Sequence, residues 1–300
     1  MTITITAADS AAPSVSATAS DTASASAPKT EAVINSPSGL TRDGLTRVVL
    51  VTGAAKRIGR TIALTLAQRG WDVAVHYGRS EEEALGVVAE IKAMGRRSIA
   101  LHCDLANETS VKELLPRVIA AFGNVQCVVN NASLFEEDSI SDVSKLRLDK
   151  HMHANLIAPL LLSRALHAAT PDGQQSCVIN LLDQKLQNLN PDFLSYTLSK
   201  AALQCATTTL AQALAPKVRV VGVSPGITMV SGHQTADDFA QAHQVTPLGR
   251  SSTPEDIANT ICFVADMPAI TGTTIMVDGG QHLLPSARDI MFLATSATPK

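Results

Sequence analysis

Tyr196 and Lys200 form a pair whose residue types and spacing suit acid–base chemistry. They stand four residues apart in SYTLSKAAL, so on a helix both side chains face the same way. A free tyrosine has a pKa near 10 and is a poor acid at neutral pH, but a neighbouring ammonium favours its phenolate. Such a pair taken alone is more often an exposed helical face. Its place between the NNAS and VVGVSPG segments favours a proton donor beside a bound nucleotide, with Lys200 also donating to the ribose.

A glycine-bearing loop follows the first predicted strand. RVVLVT leads into TGAAKRIGR, which places Gly53 and Gly59 at a strand-to-helix turn. Glycine permits the tight turn, and a helix amino terminus directs N–H groups and a positive dipole at a pyrophosphate. Glycines also serve simply to turn a chain, but strand, loop and helix in this order are the context that dinucleotide binding requires. We therefore predict a nucleotide site at this loop.

The residues that follow the second predicted strand distinguish between NAD and NADPH as the cofactor. A carboxylate there would accept the ribose hydroxyls of NAD, but DVAVHY is followed by Arg79 and Ser80. A guanidinium fork and a hydroxyl suit a 2′-phosphate, which predicts NADPH; a solvated arginine at a helix start is the alternative. Asp104 closes the third strand, where it could accept from the adenine amino group. Ala132 lies where the fourth strand passes the cofactor.

These residues belong to an alternation of short strands and longer helices. Strands are predicted in RVVLVT, DVAVHY, SIALHCD, QCVVNNAS, QSCVINLLD, VRVVGVSPG and TTIMVDGG, and helices over Ile58–Gln68, Glu81–Ala93, Asp149–Ala168 and Tyr196–Leu214. Strands that are apolar on both faces and separated by helices indicate a parallel sheet covered on both sides. The fold class is therefore α/β, a single Rossmann-type doubly wound parallel sheet flanked by helices on both faces, with ligands at the carboxyl ends of its strands.

Composition excludes several classes of function. The 300 residues are 45% hydrophobic and 17% charged with a net charge of -3, which permits a large core and gives no footprint for nucleic acid. Aromatic residues make up 3%, and no apolar stretch is long enough to span a bilayer. The five cysteines show no close pairing and no metal-ligand spacing. They predict buried, reduced thiols, a cytoplasmic protein and no metal site.

Two segments differ in composition from the rest. Residues 1–45 consist mainly of small and polar residues, with too few large apolar side chains to offset their ordering entropy. We expect a disordered polar tail there, without the features of a secretory or mitochondrial leader, and a catalytic domain with the cofactor and substrate sites over 46–300. The polar stretch from Thr228 to Arg250 is predicted to be a mobile lid.

The set TGAAKRIG, CDL, NNAS, the Asn155 of HANLIAP, YTLSK, SPG and VDGG resembles the short-chain dehydrogenase/reductase family over about residues 46–284. The resemblance implies an oxidoreductase, commonly a homotetramer built on the two long helices. It also implies that Asn155 holds a water linking Lys200 to solvent, although an asparagine within a helix can simply bond its own backbone. The cofactor residues that it implies are Gly53, Arg57, Ile58, Gly59, Tyr77, Arg79, Ser80, Asp104, Leu105, Asn131, Ala132, Ser133, Tyr196, Lys200, Pro225 and Gly226.

Two departures from the family's usual pattern are shared with pteridine reductases and the related dihydromonapterin reductases. Arg57 replaces the middle glycine of the loop, and Asp183 replaces the catalytic serine thirteen residues before the tyrosine. A carboxylate cannot donate a hydrogen bond unless it is protonated, so Asp183 suits an ordinary ketone site poorly. Bonded to Tyr196, it could relay a proton to a pterin ring nitrogen or accept from the amino-pyrimidine edge. Capping the following loop is the structural alternative.

The remaining substrate contacts follow from the same resemblance. Arg57 could lie between the cofactor phosphates and the polar edge of a pterin, and Phe135 could stack on the ring opposite the nicotinamide, with Ser133 close by. Arg57 could equally cover the helix start, and Phe135 could belong to the loop core. The sequence thus predicts NADPH-dependent reduction of a dihydropterin. Two other functions stay open: a carbonyl reductase for a ketone or acyl thioester, and a non-catalytic NADPH sensor, which would be expected to lose the Tyr–Lys pair.

Overall fold

The computed structural model describes residues 46–230, 235–244 and 246–293, so the predicted tail over 1–45 lies outside the described residues. The strands are β1 (Val48–Val51), β2 (Asp72–Tyr77), β3 (Ser98–His102), β4 (Cys127–Asn130), β5 (Ser176–Leu181), β6 (Val218–Pro225) and β7 (Thr274–Val277). The α-helices are α1 (Arg57–Gln68), α2 (Glu81–Ala93), α3 (Glu108–Phe122), α4 (Lys145–Met152), α5 (Ala158–Ala169), α6 (Leu194–Ala213), α7 (Ala236–Gln244), α8 (Pro254–Asp266) and α9 (Ile290–Leu293).

All seven strands pair in parallel in one sheet, in the order β3-β2-β1-β4-β5-β6-β7. The strand order reverses between β1 and β4, and ligands bind at such a switch point in doubly wound folds. Every residue of β1, β2, β4 and β5 is buried, because helices cover both faces. The predicted fold class is confirmed.

Two hydrophobic cores lie on opposite faces of the sheet. Ile62 of α1 and Ile257 of α8 are buried in the first core. Leu114 of α3 and Leu162 of α5 are buried in the second. Burying one such side chain contributes about 1.5–3 kcal/mol, so both cores stabilise the sheet that carries the site residues at its carboxyl edge.

Most of the predicted helix boundaries lie within two residues of the observed ones. α2 has the predicted bounds, α1 starts one residue earlier, and α6 starts two residues before the predicted Tyr196. The long helix predicted over Asp149–Ala168 is α4 and α5 joined through a π-helical turn, His153–Ile157, which contains Asn155. Such turns carry an extra residue and are frequent at functional sites.

Other expectations have mixed outcomes. The segment predicted as a lid contains α7, and its residues 231–234 and 245 lie outside the described part. Four of the five cysteines are buried and none is in a disulfide, but Cys205 is exposed, which corrects the expectation of uniformly buried thiols. Within the described ranges, no helix is both long and apolar enough to cross a membrane.

Candidate functional site

A cavity of about 480 Å³ opens at the carboxyl edge of the sheet. Its lining includes ten residues predicted for the site: Arg57, Ile58, Asn131, Ser133, Phe135, Asp183, Tyr196, Lys200, Pro225 and Gly226. It also includes residues that were not predicted: Leu181, Leu182, Gln184, Ile227, Thr228, Met229, Gln281, Asp289 and Ile290. The fold therefore brings the segments that follow β1 and β4, the ends of β5 and β6, helix α6 and the carboxyl-terminal segment to one cavity.

Asp183 and Tyr196 are hydrogen-bonded in this cavity. Tyr196 Oη donates to Asp183 Oδ2 at 2.6 Å. The other carboxylate oxygen, Oδ1, accepts from the backbone N–H of Lys185 at 2.8 Å and caps the short 3-10 turn Gln184–Gln187. Asp183 therefore caps the following loop and also bonds Tyr196, and the proton relay stays a prediction.

Burial sets the protonation of this pair. It raises the pKa of the Asp183 carboxyl above its usual value, while the hydrogen bond from Tyr196 acts in the opposite direction. Burial and the Asp183 charge together raise the pKa of Tyr196 well above its usual value near 10. Tyr196 is therefore a protonated hydroxyl in this geometry, and its role as the proton donor stays a prediction.

Lys200 explains that outcome. Its Nζ donates to the backbone oxygen of Leu181 at 2.7 Å and lies 5.8 Å from the centroid of the Tyr196 ring. The ammonium therefore does not bond the phenolic oxygen. Burial lowers the pKa of Lys200 to about 8, partly offset by the charge of Asp183.

The glycine loop packs directly against the end of β4. A Cβ on Gly59 would lie 2.2 Å from the oxygen of Gly53 and 2.5 Å from Asn131 Nδ2. A Cβ on Gly53 would lie 3.0 Å from Ala132 Cα, and its φ of 62° is left-handed. Asn131 Nδ2 in turn donates to the backbone oxygens of Thr52, at 2.8 Å, and Gly53, at 3.2 Å. Both glycines are therefore required by space, and Gly53 by its backbone conformation as well.

The start of α1 fits a phosphate group. The helix begins at Arg57 without a side-chain cap and without an acidic residue in its first turn. The first N–H groups of a helix lack intrahelical partners and favour an anion. Arg57 itself has a φ of 54°, in the left-handed region where the family's usual glycine would be unstrained.

His76 on β2 supports the same loop and was not predicted. Its Nδ1 accepts the backbone N–H of Gly53 at 2.9 Å, and its Nε2 lies 3.0 Å from the backbone oxygen of Cys103. The ring is therefore neutral with its proton on Nε2, and burial lowers its pKa to about 4. The one indication in the sequence is a polar residue inside the apolar run DVAVHY.

The other predicted cofactor residues lie along the ends of β2 and β3, outside the cavity lining. Arg79 is exposed and Ser80 is the N-cap residue of α2. Asp104 Oδ1 accepts the backbone N–H two residues later at 2.9 Å, and Leu105 next to it is half-buried. Tyr77 is buried, and its ring faces that of His102 on β3. Their contacts with a cofactor stay predictions.

Asn155 anchors the loop that follows β4. Its Nδ2 donates to the backbone oxygen of Leu134 and to Ser199 Oγ, both at 2.9 Å. Its Oδ1 accepts the Leu134 N–H at 2.7 Å and the Ser133 hydroxyl at 3.3 Å. The amide thus holds the loop that carries Ser133 and Phe135, and the water-holding role stays a prediction.

Phe135 both packs in the loop and faces the cavity. Its ring stacks on Phe193 at 4.3 Å between centroids, and Tyr196 meets it edge-on at 4.7 Å. Phe193 in turn stacks on Phe292, with 5.8 Å between the ring centroids. Phe135 is still 38% exposed, so part of the ring remains open to the cavity.

Sequence comparisons identify the class of protein. The family model for enoyl-(acyl carrier protein) reductase matches residues 53–282. The 3-oxoacyl-[acyl-carrier-protein] reductase FabG of Staphylococcus aureus (strain Mu50) is 34% identical over 247 residues, which are 80% of this chain and 99% of that relative. The chain belongs to the short-chain dehydrogenase/reductase family, and it is an oxidoreductase of that family.

Comparison with solved structures indicates which members of the family this chain resembles. FolM alternative dihydrofolate reductase 1 from Brucella canis, complexed with NADP, superposes with a TM-score of 0.77 at 38% identity, covering 81% of this chain and 97% of that one. A short chain dehydrogenase from Burkholderia cenocepacia J2315, also in complex with NADP, gives a TM-score of 0.72 at 32% identity, covering 78% and 97%. NADP in both relatives agrees with the cofactor predicted from the sequence.

Proposed function

We propose that this chain reduces a dihydropterin to the tetrahydro form with NADPH. The observation that carries the proposal is the Asp183–Tyr196 hydrogen bond, since Asp183 stands where a carbonyl site needs a neutral donor. The similarity to FolM supports it, because dihydrofolate contains the same bicyclic ring system. The exposed part of Phe135 offers that flat ring a stacking surface, with Arg57 and Ser133 lining the cavity beside it.

NADPH would be held at the glycine loop and the ends of β2 and β3. Gly53, Ile58 and Gly59 lie in the loop and first turn of α1, where the N–H groups at the helix amino terminus suit the pyrophosphate. Arg79 and Ser80 carry the positive charge and hydroxyl that suit the 2′-phosphate. When bound, the cofactor supplies the hydride.

Tyr196 supplies the proton. One hydride on a ring carbon and one proton on the adjacent nitrogen convert C=N to CH–NH. The protonated Tyr196 hydroxyl donates that proton, and Asp183, whose pKa is raised by burial, returns one when it is itself protonated. The nearby Lys200 ammonium offsets the negative charge that forms on Tyr196 in between.

A carbonyl reductase is the second candidate, because FabG proteins of several staphylococci are 34–35% identical to this chain. Reduction of a 3-oxoacyl group calls for a second hydrogen-bond donor beside Tyr196, and Asp183 accepts from Tyr196 rather than donating. A non-catalytic NADPH sensor has less support, since Tyr196 and Lys200 are both present in the cavity. A homotetramer and a cytoplasmic location are further proposals, the first testable by light scattering on the purified chain.

NADPH consumption by the full chain tests the function. The panel contains dihydrobiopterin, dihydromonapterin, dihydrofolate, a simple ketone and a 3-oxoacyl thioester. Turnover of pterins alone supports the proposal, and turnover of the ketone or thioester alone overturns it. Asp183→Ser should abolish pterin reduction and improve reduction of the ketone, whereas Asp172→Ser, at a residue whose side chain is 99% exposed, is the matched control.

A further inference from the structure

The carboxyl-terminal segment forms one wall of the cavity. Asp289 and Ile290 line it, and the residue before them is fixed to the loop after β5. Arg288 Nε bonds both carboxylate oxygens of Asp192, at 3.0 and 2.9 Å, and the Asp289 N–H donates to the same carboxylate at 2.7 Å. These contacts, between residues about a hundred positions apart in sequence, hold Asp289 in place.

A buried ammonium fixes the Asp289 side chain. Lys185 is 4% exposed, and its Nζ donates to Asp289 Oδ2 at 2.9 Å and to the backbone oxygen of Asp192 at 2.6 Å. The same Nζ lies 5.2 Å from the centroid of the Phe193 ring. A buried ammonium is costly unless a carboxylate pairs with it. The pair therefore keeps a charged carboxylate at the cavity wall.

Among the described residues, two carboxylates with different surroundings line the cavity. Asp183 bonds the reacting hydroxyl of Tyr196, and both its oxygens already accept from the protein. Asp289 Oδ2 accepts from the ammonium of Lys185, and Asp289 lines the cavity. The two groups are close enough for the Asp289 charge to raise the pKa of both Asp183 and Tyr196. Asp289 therefore stands beside the reacting group without being part of it.

We propose that Asp289 is a specificity-determining residue, whose carboxylate accepts hydrogen bonds from the amino-pyrimidine edge of the substrate. This inference rests on the proposed pterin reduction. It assigns Asp289 to the end of the pterin ring that is remote from the reacting bond. The 2-amino group and the neighbouring ring N–H are adjacent donors, and a carboxylate offers two oxygens to such a pair. A substrate with an oxygen in place of the 2-amino group sets that acceptor against the carboxylate oxygens, which disfavours its binding.

A matched pair of substrates isolates that contact. 6-Methyl-7,8-dihydropterin carries the 2-amino group, and 6-methyl-7,8-dihydrolumazine carries an oxygen in its place. The wild type should prefer the dihydropterin by about tenfold or more in kcat/KM. Asp289→Asn should raise KM for the dihydropterin by about tenfold and should remove the preference. Asp289→Glu should recover part of it.

Lys185→Met separates recognition from folding. This variant removes the ion pair but keeps the carboxylate, so it should lower the melting temperature and still prefer the dihydropterin. If it loses the preference as fully as Asp289→Asn does, Asp289 acts only by holding the wall, and the inference is overturned.

The remaining outcomes are distinct. If the wild type turns over no dihydropterin, the proposed function fails, and this inference with it. If the wild type reduces the dihydropterin and Asp289→Asn keeps the full preference, only the inference fails. If Asp289→Asn loses kcat/KM only for dihydrobiopterin, whose side chain carries hydroxyl groups, the carboxylate binds that side chain. The assignment of Asp289 to the ring edge is then overturned.

Discussion

Acid should loosen the glycine loop through His76. The neutral imidazole accepts the N–H of Gly53, and protonation would place an N–H against that N–H. Burial lowers the pKa of His76 from 6.5 to about 4. The unfolded chain therefore binds a proton as the pH falls through 6.5, and the folded chain does so only near 4. Stability from this residue is complete above pH 6.5 and is lost as the pH falls towards 4.

The size of the effect follows from the same two values. One pKa unit corresponds to about 1.4 kcal/mol, so a fall from 6.5 to about 4 amounts to roughly 3 kcal/mol. A domain is typically stable by about 5–15 kcal/mol, and the loss is therefore large enough to measure by urea unfolding.

Comparison with His76→Gln isolates the histidine from other groups that titrate. The variant lacks the buried imidazole, so its deficit in unfolding free energy should shrink by roughly 3 kcal/mol between pH 7 and pH 4. The single tryptophan, Trp71, is buried and reports unfolding by fluorescence. His167→Gln on α5 controls for the loss of one imidazole elsewhere. A deficit of His76→Gln that stays constant over this range would refute the neutral, buried state inferred for His76.

Three further predictions concern the site. Gly59→Ala should weaken NADPH binding at least about tenfold and cost about 1–3 kcal/mol of stability, because its Cβ would meet the Gly53 oxygen. Titration of the variant with NADPH checks this. Gly86→Ala is the control, since a Cβ at Gly86 meets nothing within 4 Å. The kcat/KM should fall as the pH rises through about 8, where Lys200 loses its charge; a profile that stays flat well above pH 8 would contradict this. Asn155→Ala should lower the melting temperature by removing the bonds to Leu134, at a cost of about 1–3 kcal/mol, and should reduce kcat/KM; an unchanged melt and rate would show that the loop holds without it.

The fold was largely readable because its determinants are local. Each strand is a short β-branched run, and the helices between strands force parallel pairing, so the sheet follows from sequence order. Even so, no helix was predicted over Glu108–Phe122 or Pro254–Asp266. The first has a proline, Pro116, within it, which normally argues against a helix interior.

The candidate site was readable only where spacing along one element carried the information. Tyr196 and Lys200 share a helix face, and the glycine loop follows a strand directly. The Lys185–Asp289 pair joins residues 104 positions apart, and His76, on β2, bonds Gly53 in the loop after β1. Contacts of this kind depend on tertiary packing, for which hydrophobic periodicity contains no information.

Arg57 and Phe193 share a feature that bears on any effort to make this protein more heat-resistant. Both are non-glycine residues with left-handed φ, 54° and 55°, which costs roughly 1 kcal/mol or more each. At Arg57, a screen that rewarded only thermal tolerance would favour glycine, which relieves the strain. At Phe193 it would not, because the ring is buried and stacked on Phe135, and its loss would cost about 3–5 kcal/mol, more than the strain. Directed evolution of this chain should therefore select for turnover in every round, since selection for stability alone would remove the guanidinium that lines the cavity.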